Sequence, residues 1–87
     1  MVEYRVSVPM RMRYADGARH EGTSFYEITS PSVDLAKREG ARQATVYLRQ
    51  LQVNKSIVGW YIHGDKIEAY DSKGPAPVGV RLPQDDV

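Results

Sequence analysis

Six apolar residues near the start of the chain occupy alternate positions, and this alternation constrains the fold more than any other feature. They are Tyr4, Val6, Val8, Met10, Met12 and Tyr14. Because successive side chains of a β-strand point to opposite faces, the pattern predicts a strand with one face in a core. Pro9 interrupts this segment and cannot donate a hydrogen bond to a neighbouring strand. We therefore expect the strand to lie at a sheet edge or to bulge at Pro9.

The dipeptide Asp16-Gly17 predicts a tight turn that returns the chain into a second strand over about residues 23–29. A two-residue loop would bury a charged side chain opposite Val6. A loop of residues 15–17 instead pairs Val6 with Tyr26, as expected for a type I turn followed by a bulge with its glycine in the left-handed region. A longer loop can restore the same parity, so both loops remain compatible with the pattern.

The segment Ser30-Pro31-Ser32-Val33-Asp34 predicts the start of a helix. Serine caps helix N-termini, proline suits the first helical position, and an aspartate in the first turn favours the positive end of the helix dipole. At about 100° per residue, one stripe collects the residues expected to face the sheet, namely Val33, Ala36, Gly40, Ala44, Tyr47 and Leu51. Gly40 on this stripe would let the helix backbone approach the sheet closely. Asn54 is the expected left-handed stop.

Two short segments, residues 56–63 and 66–70, flank Gly64-Asp65 and predict a second hairpin with a type II′ turn. Pairing outward from this turn sets Ile62 against Ile67 on one face. The element order is then β-β-α-β-β. The expected fold class is α+β, a single domain in which one helix packs on one face of an antiparallel sheet.

A chain of 87 residues is long enough for one core only. Residues 1–72 are expected to form the compact α+β domain. Residues 73–87 read as a Gly/Pro-rich linker and an acidic tail, within which residues 78–82 could add a short fifth edge strand. Cysteine is absent, which excludes disulfides and thiolate metal sites as sources of stability.

The sequence lacks the motifs of enzymes, so we expect no catalytic residues, no metal site and no cofactor. It contains no glycine-rich phosphate loop and no nucleophile elbow. His20 and His63 are the only histidines. Without cysteine they would form at most a weak metal site, and we interpret them as exposed turn residues. The adjacent carboxylates Asp85 and Asp86 lie in the expected tail, where nothing would fix their geometry.

Hydropathy and charge limit the location and the partners of the chain. No stretch approaches the roughly 18–20 apolar residues of a membrane-spanning helix, and the first residues do not resemble a signal peptide. We therefore expect a cytoplasmic protein without a membrane partner. Twelve basic residues against 11 acidic ones give a net charge of +1. This balance excludes binding to nucleic acid by bulk charge alone.

One helix can cover only one face of the sheet, and we call the other face the open face. On the predicted pairing it collects three arginines and four large apolar or aromatic residues, namely Arg5, Arg11, Arg13, Phe25, Ile57, Tyr61 and Tyr70. An exposed patch of this kind is typical of an interaction site.

Three partners fit the open face, and the alternative is that the C-terminal segment folds back and covers it. A second copy could stack on the face or pair along a sheet edge, and this homodimer is the leading prediction. A larger protein assembly could be the partner, with the chain as an accessory or inhibitory protein. The less favoured alternative is single-stranded nucleic acid, with bases stacked on the aromatic rings and phosphates held by the arginines.

The outer side of the helix is predicted to carry a basic ridge formed by Arg38, Arg42 and Arg49. Short basic ridges are usually solvated helix faces. Three such charges would support only weak, salt-sensitive binding to phosphates. The function predicted from the sequence is therefore that of a small, non-catalytic binding module that acts through the open face of its sheet.

Overall fold

The first strand, β1 (Val2–Arg13), is the centre of the sheet, and every other strand that the structure describes pairs with it. The computed structural model describes residues 1–75. The other elements are β2 (Arg19–Ser30), α1 (Val33–Val53), β3 (Gly59–Ile62), a short 3-10 helix (Gly64–Lys66) and β4 (Glu68–Asp71). The β-β-α-β-β order, the antiparallel sheet of four strands and the single helix confirm the predicted α+β class. The predicted fifth strand over 78–82 and the acidic tail lie outside the described residues.

The hairpin of β1 and β2 has the predicted register, in which Val6 lies opposite Tyr26. In the turn, the Tyr14 N–H donates to the Ala18 carbonyl and the Gly17 N–H donates to the Tyr14 carbonyl, each at 2.9 Å. Gly17 has a φ of 88°, the left-handed value that a three-residue loop requires. β2 begins earlier than predicted, and each strand of the hairpin is 12 residues long.

The predicted second hairpin is wrong. In the described chain, β3 and β4 pair with β1 rather than with each other. β3 lies antiparallel to residues 10–13 of β1, and β4 lies antiparallel to residues 4–7, so the two short strands follow one another along the same edge. The predicted type II′ turn at Gly64-Asp65 is wrong as well, because Gly64 does not have the positive φ that such a turn requires, and Gly64–Lys66 form a 3-10 helix that joins the two strands.

Pro9 explains why the strand beside β1 is interrupted. The carbonyls of Glu3, Pro9 and Arg13 accept hydrogen bonds from Ser72, His63 and Val58, so odd-numbered residues of β1 direct their backbone groups toward β3 and β4. The N–H that Pro9 lacks would point to the same edge. The chain leaves the ladder there, between the end of β3 and the start of β4. The prediction that Pro9 places β1 at a sheet edge is therefore wrong, because the neighbouring strand breaks instead.

The core lies between α1 and the inner face of the sheet. Its buried residues come from the helix, from the strands and from the segments beside them, and they are Val6, Val8, Met10, Ile28, Ala36, Ala44, Leu48, Ile57 and Ile67. In α1 the buried positions follow a spacing of four residues from Ala36 to Leu48. The predicted helix stripe is correct at its centre but wrong at Val33 and Tyr47, which are exposed. Toward the end of the helix, Leu48 rather than Tyr47 faces the sheet.

Both ends of α1 have side-chain or backbone caps. The Ser32 hydroxyl accepts a hydrogen bond from the Leu35 N–H at 3.2 Å. At the other end, Lys55 rather than the predicted Asn54 adopts the left-handed conformation, with a φ of 62°. The Lys55 N–H then donates to the carbonyl of Gln52, which satisfies one of the last free carbonyls of the helix. Within residues 1–75, no helix has the length and apolar character needed to cross a membrane.

Candidate interaction face and arginine groove

The open face is built by the odd-numbered residues of β1 and by their partners on the neighbouring strands. Val6, Val8 and Met10 point into the core, so the residues between them point to the opposite side of the sheet. The register places Phe25 opposite Ser7, Tyr61 opposite Arg11 and Tyr70 opposite Arg5. Six of the seven predicted residues therefore lie on the open face, namely Arg5, Arg11, Arg13, Phe25, Tyr61 and Tyr70.

Ile57 is the exception. It is 1% exposed and belongs to the core. The prediction extended the alternation of β3 back to residue 56, but β3 begins only at Gly59. Strand parity does not apply before that point, and the apolar side chain of Ile57 packs in the core instead.

The aromatic residues of the open face differ in their exposure. Tyr61 is 58% exposed, whereas Tyr70 is only 9% exposed and Phe25 is half-buried. The ring of Tyr61 contacts the ring of His63 edge to face, with centroids 5.1 Å apart and an interplanar angle of 77°. Among the aromatic residues predicted on this face, Tyr61 therefore offers the largest exposed fraction of ring surface for a partner.

Two of the arginines on the open face are paired with glutamates of β2. Arg5 Nε lies 2.6 Å from a carboxylate oxygen of Glu27, and the pairing raises the pKa of Arg5. Arg11 Nε contacts the carboxylate of Glu21, whose other oxygen lies 3.1 Å from His63 Nε2. The hydrogen bond with Arg11, and to a smaller extent that with His63, lowers the pKa of the Glu21 carboxyl. These pairs place alternating charge, rather than a continuous apolar surface, along the middle of the face.

A shallow groove lies at the hairpin end of the open face, and we call it the arginine groove. Its volume is about 320 Å³, and its lining residues are Arg11, Arg13, Arg19, Gly59, Trp60 and Tyr61. Arg19 lies directly opposite Arg13 in the hairpin register. Arg19 was not among the predicted site residues, although the three-residue loop already implies this pairing.

The two opposed arginines carry charge that the described residues do not neutralise. Because the adjacent pair, Tyr14 and Ala18, exchanges a backbone hydrogen bond, Arg13 and Arg19 form a non-hydrogen-bonded pair, in which cross-strand side chains are closest. Within residues 1–75 neither arginine forms an ion pair. Like charges in direct opposition destabilise a sheet. Of the four arginines on the open face, only Arg13 and Arg19 lack an ion-pair partner within residues 1–75, and both line the arginine groove.

Gly59 and Trp60 of β3 border the arginine groove on the side away from β2. A Cβ atom built on Gly59 would lie 3.2 Å from Arg13 Nη2, so the Arg13 guanidinium lies over the glycine backbone. Trp60 pairs with Met12, so its side chain lies on the helix side of the sheet, where the indole N–H donates to Gln52 Oε1 at 3.2 Å.

The basic ridge lies on the far side of the molecule. Arg38, Arg42 and Arg49 are exposed, as predicted. Arg42 Nε lies 2.6 Å from a carboxylate oxygen of Glu39, which lowers the pKa of that carboxyl and partly neutralises the ridge. Because the basic ridge lies on the opposite side of α1 from the sheet, its arginines are useful controls for charge effects at the open face.

The described residues contain no group of three or more potential metal ligands. His20 is exposed, but His63 is half-buried beside Glu21 and Tyr61, so its interpretation as an exposed turn residue is wrong.

Comparisons with protein-family models, curated proteins and solved structures find no match to this chain.

Proposed function

We propose that the protein is a non-catalytic binding module that presents the open face of its sheet to a partner and works as a homodimer. The observation that supports binding is the position of Tyr61, 58% exposed, next to arginines on a sheet face that the helix does not cover. Arginine and tyrosine are enriched at interface hot spots, where they combine contact area with directed hydrogen bonds. A cytoplasmic location, as expected from the sequence, is part of this proposal.

The homodimer is best supported as edge pairing through β2. Within the described residues β2 pairs with β1 alone, so its other edge carries free N–H and C=O groups along a strand of 12 residues. Long free edges of this kind are templates for another strand. Two copies related by a two-fold axis would join their β2 strands antiparallel and form one continuous sheet, with both open faces on the same side.

Sheet-on-sheet stacking, the other geometry considered for the dimer, has less support. Stacking would bury the Arg5–Glu27 and Arg11–Glu21 pairs of the open face. Removing ion pairs from water carries a desolvation penalty that their mutual attraction often fails to offset. Edge pairing leaves these pairs in solvent and keeps the open face free for a further partner, such as a larger protein assembly.

Sedimentation equilibrium over a wide concentration range tests the dimer and its geometry together. Thr23 lies opposite Pro9 in a non-hydrogen-bonded pair, so its N–H points to the free edge of β2. Thr23→Pro removes this donor without breaking a bond to β1, and it should convert the dimer into a folded monomer. Phe25→Glu, which adds a charge to the same strand while keeping every backbone donor, should weaken the dimer as well.

Tyr61→Arg is the matched variant for the stacking geometry, because it changes the open face and leaves the β2 edge intact. Edge pairing predicts that this variant remains a dimer. A folded monomer for Tyr61→Arg, together with a dimer for Thr23→Pro, would replace edge pairing with stacking. A monomeric mass for the unmodified protein at every concentration would refute the dimer.

A further inference from the structure

We propose that the arginine groove binds the phosphates of a single-stranded nucleic acid, with Tyr61 as the surface on which one base stacks. This inference names the partner chemistry of the open face and so rests on the proposed binding function, but it does not require the dimer. Its starting point is the contrast between arginines that already have an anionic partner and arginines that do not.

The charge arrangement favours a phosphate. Arg5 and Arg11 each contact a glutamate of β2, whereas Arg13 and Arg19 are opposed to each other and form no ion pair within residues 1–75. The Arg13 guanidinium lies over Gly59 of β3, whereas Arg19 belongs to β2, so the two side chains offer separate donor sets to phosphates in the arginine groove. The planar guanidinium donor set suits a phosphate better than a point charge would.

The strand geometry favours a chain of phosphates rather than one isolated anion. Arg11 and Arg13 point to the same face two residues apart on β1, a separation of about 6.8 Å along the strand. This separation is comparable to the interval between successive phosphates in an extended nucleic-acid strand. Arg11 contacts Glu21 through Nε, which leaves its Nη groups as donors to a phosphate. Arg19 extends the row across to β2.

The aromatic ring decides between a single strand and a duplex. Tyr61 lies directly across from Arg11, and its contact with His63 restrains the orientation of the ring. An exposed ring face beside a row of guanidinium groups can stack an unpaired base, whereas the bases of a duplex are already stacked on each other. An acidic protein segment would also satisfy the arginines, so poly-glutamate is the competing ligand in the test.

Fluorescence anisotropy with a labelled single-stranded oligonucleotide of about 12 nucleotides tests the proposal. Binding should be measurable at low salt and should weaken with a log–log salt slope between about −1.4 and −2.1, as expected for two to three phosphate contacts on a single strand.

Two matched double variants separate the arginine groove from general charge. Arg13→Ala with Arg19→Ala should weaken binding by roughly ten- to a hundredfold at low salt and should flatten the salt slope by about 1.4. Arg38→Ala with Arg49→Ala removes the same charge from the basic ridge and should change affinity less than about threefold. Tyr61→Leu should weaken binding by about tenfold and leave the salt slope unchanged, because stacking releases no counterions.

Several results would overturn the proposal. They are no binding of the unmodified protein at low salt, equal losses in the two double variants, no effect of Tyr61→Leu, or binding of a duplex or of poly-glutamate as tight as that of the single strand. Sedimentation of the Arg13→Ala/Arg19→Ala variant distinguishes a loss of nucleic-acid binding from a loss of the dimer. If that variant loses the oligonucleotide but keeps the mass of the unmodified protein, the arginine groove and the dimer contact are separate surfaces.

Discussion

Gly40 lies where α1 crosses β1, and its replacement by alanine measures how closely the two elements approach. A Cβ atom built on Gly40 would lie 2.6 Å from Val6 Cγ1 and 3.2 Å from Val6 Cβ. Carbon atoms in van der Waals contact are about 3.5–4.0 Å apart. The new methyl group would therefore overlap Val6 by roughly 1 Å. Since both residues are buried, the helix must move away from the sheet or Val6 must leave its rotamer.

Two opposing contributions set the size of the effect. Alanine in place of glycine within a helix stabilises by about 1 kcal/mol. Overpacking of a filled core destabilises by about 1–3 kcal/mol, and an overlap near 1 Å with a β-branched side chain belongs in the upper part of that range. We expect Gly40→Ala to lower the free energy of unfolding by about 1–2 kcal/mol. At about 4–8 °C per kcal/mol for a domain of this size, Tm should fall by roughly 4–16 °C.

Urea denaturation followed by circular dichroism gives the free energy of unfolding, and a double-mutant cycle with Val6→Ala tests its cause. Val6→Ala alone opens a cavity and destabilises the domain. In the double variant, the methyl group added by Gly40→Ala enters the space that the Val6 methyl groups vacate. The two losses should then fall short of additivity by at least about 1 kcal/mol. A Gly40→Ala variant as stable as the unmodified protein, or strict additivity in the cycle, would refute the close-approach argument.

Two further predictions concern the hairpin and the pH dependence of stability. Gly17→Ala should destabilise the domain by about 1 kcal/mol in the same denaturation assay, because Gly17 is left-handed, whereas Gly64→Ala should be nearly neutral, since nothing lies within 4 Å of its Cβ position. The contacts with Arg11 and His63 lower the pKa of Glu21, so they stabilise the fold above the unfolded-state pKa of this carboxyl, and the contribution is lost as pH falls through its folded-state pKa. Arg11→Ala should therefore raise the pKa of Glu21 in an NMR titration, and an unchanged pKa would show that the Arg11 contact is not its cause.

The first hairpin was predictable because local and global signals agree there. The alternation of β1 specifies which side chains are inside, and Gly17 supplies the conformation that the loop needs. Together they leave a register in which Val6 faces Tyr26, and the structure has that register. The central position of Gly40 on the buried side of α1 followed in the same way, from a period that only one helix face satisfies.

The second half of the sheet was not predictable from local pattern, because two pairings satisfy the same residues. A hairpin across Gly64-Asp65 and successive pairing along β1 both bury Ile67 and form backbone ladders. The choice depends on the long β1 strand, whose second edge would otherwise remain free. Pro9 then determines where the interruption falls. A proline expected to weaken its own strand thus sets the break in the neighbouring one, and this relation is visible only when both strands are placed.

The same dependence on register explains why the arginine groove was only half predicted. Arg11 and Arg13 stand out on β1 by alternation alone, but Arg19 lies beyond the turn and gains its meaning only by pairing with Arg13. Elsewhere the hairpin places opposite charges together, with Arg5 against Glu27 and Arg11 against Glu21. The pair of Arg13 and Arg19 is the exception, because it places two positive charges opposite each other at the end of the hairpin, and folding does not require this arrangement. Sequences tend to retain such conflicts where binding needs them, and the conflict here lies beside the exposed ring of Tyr61.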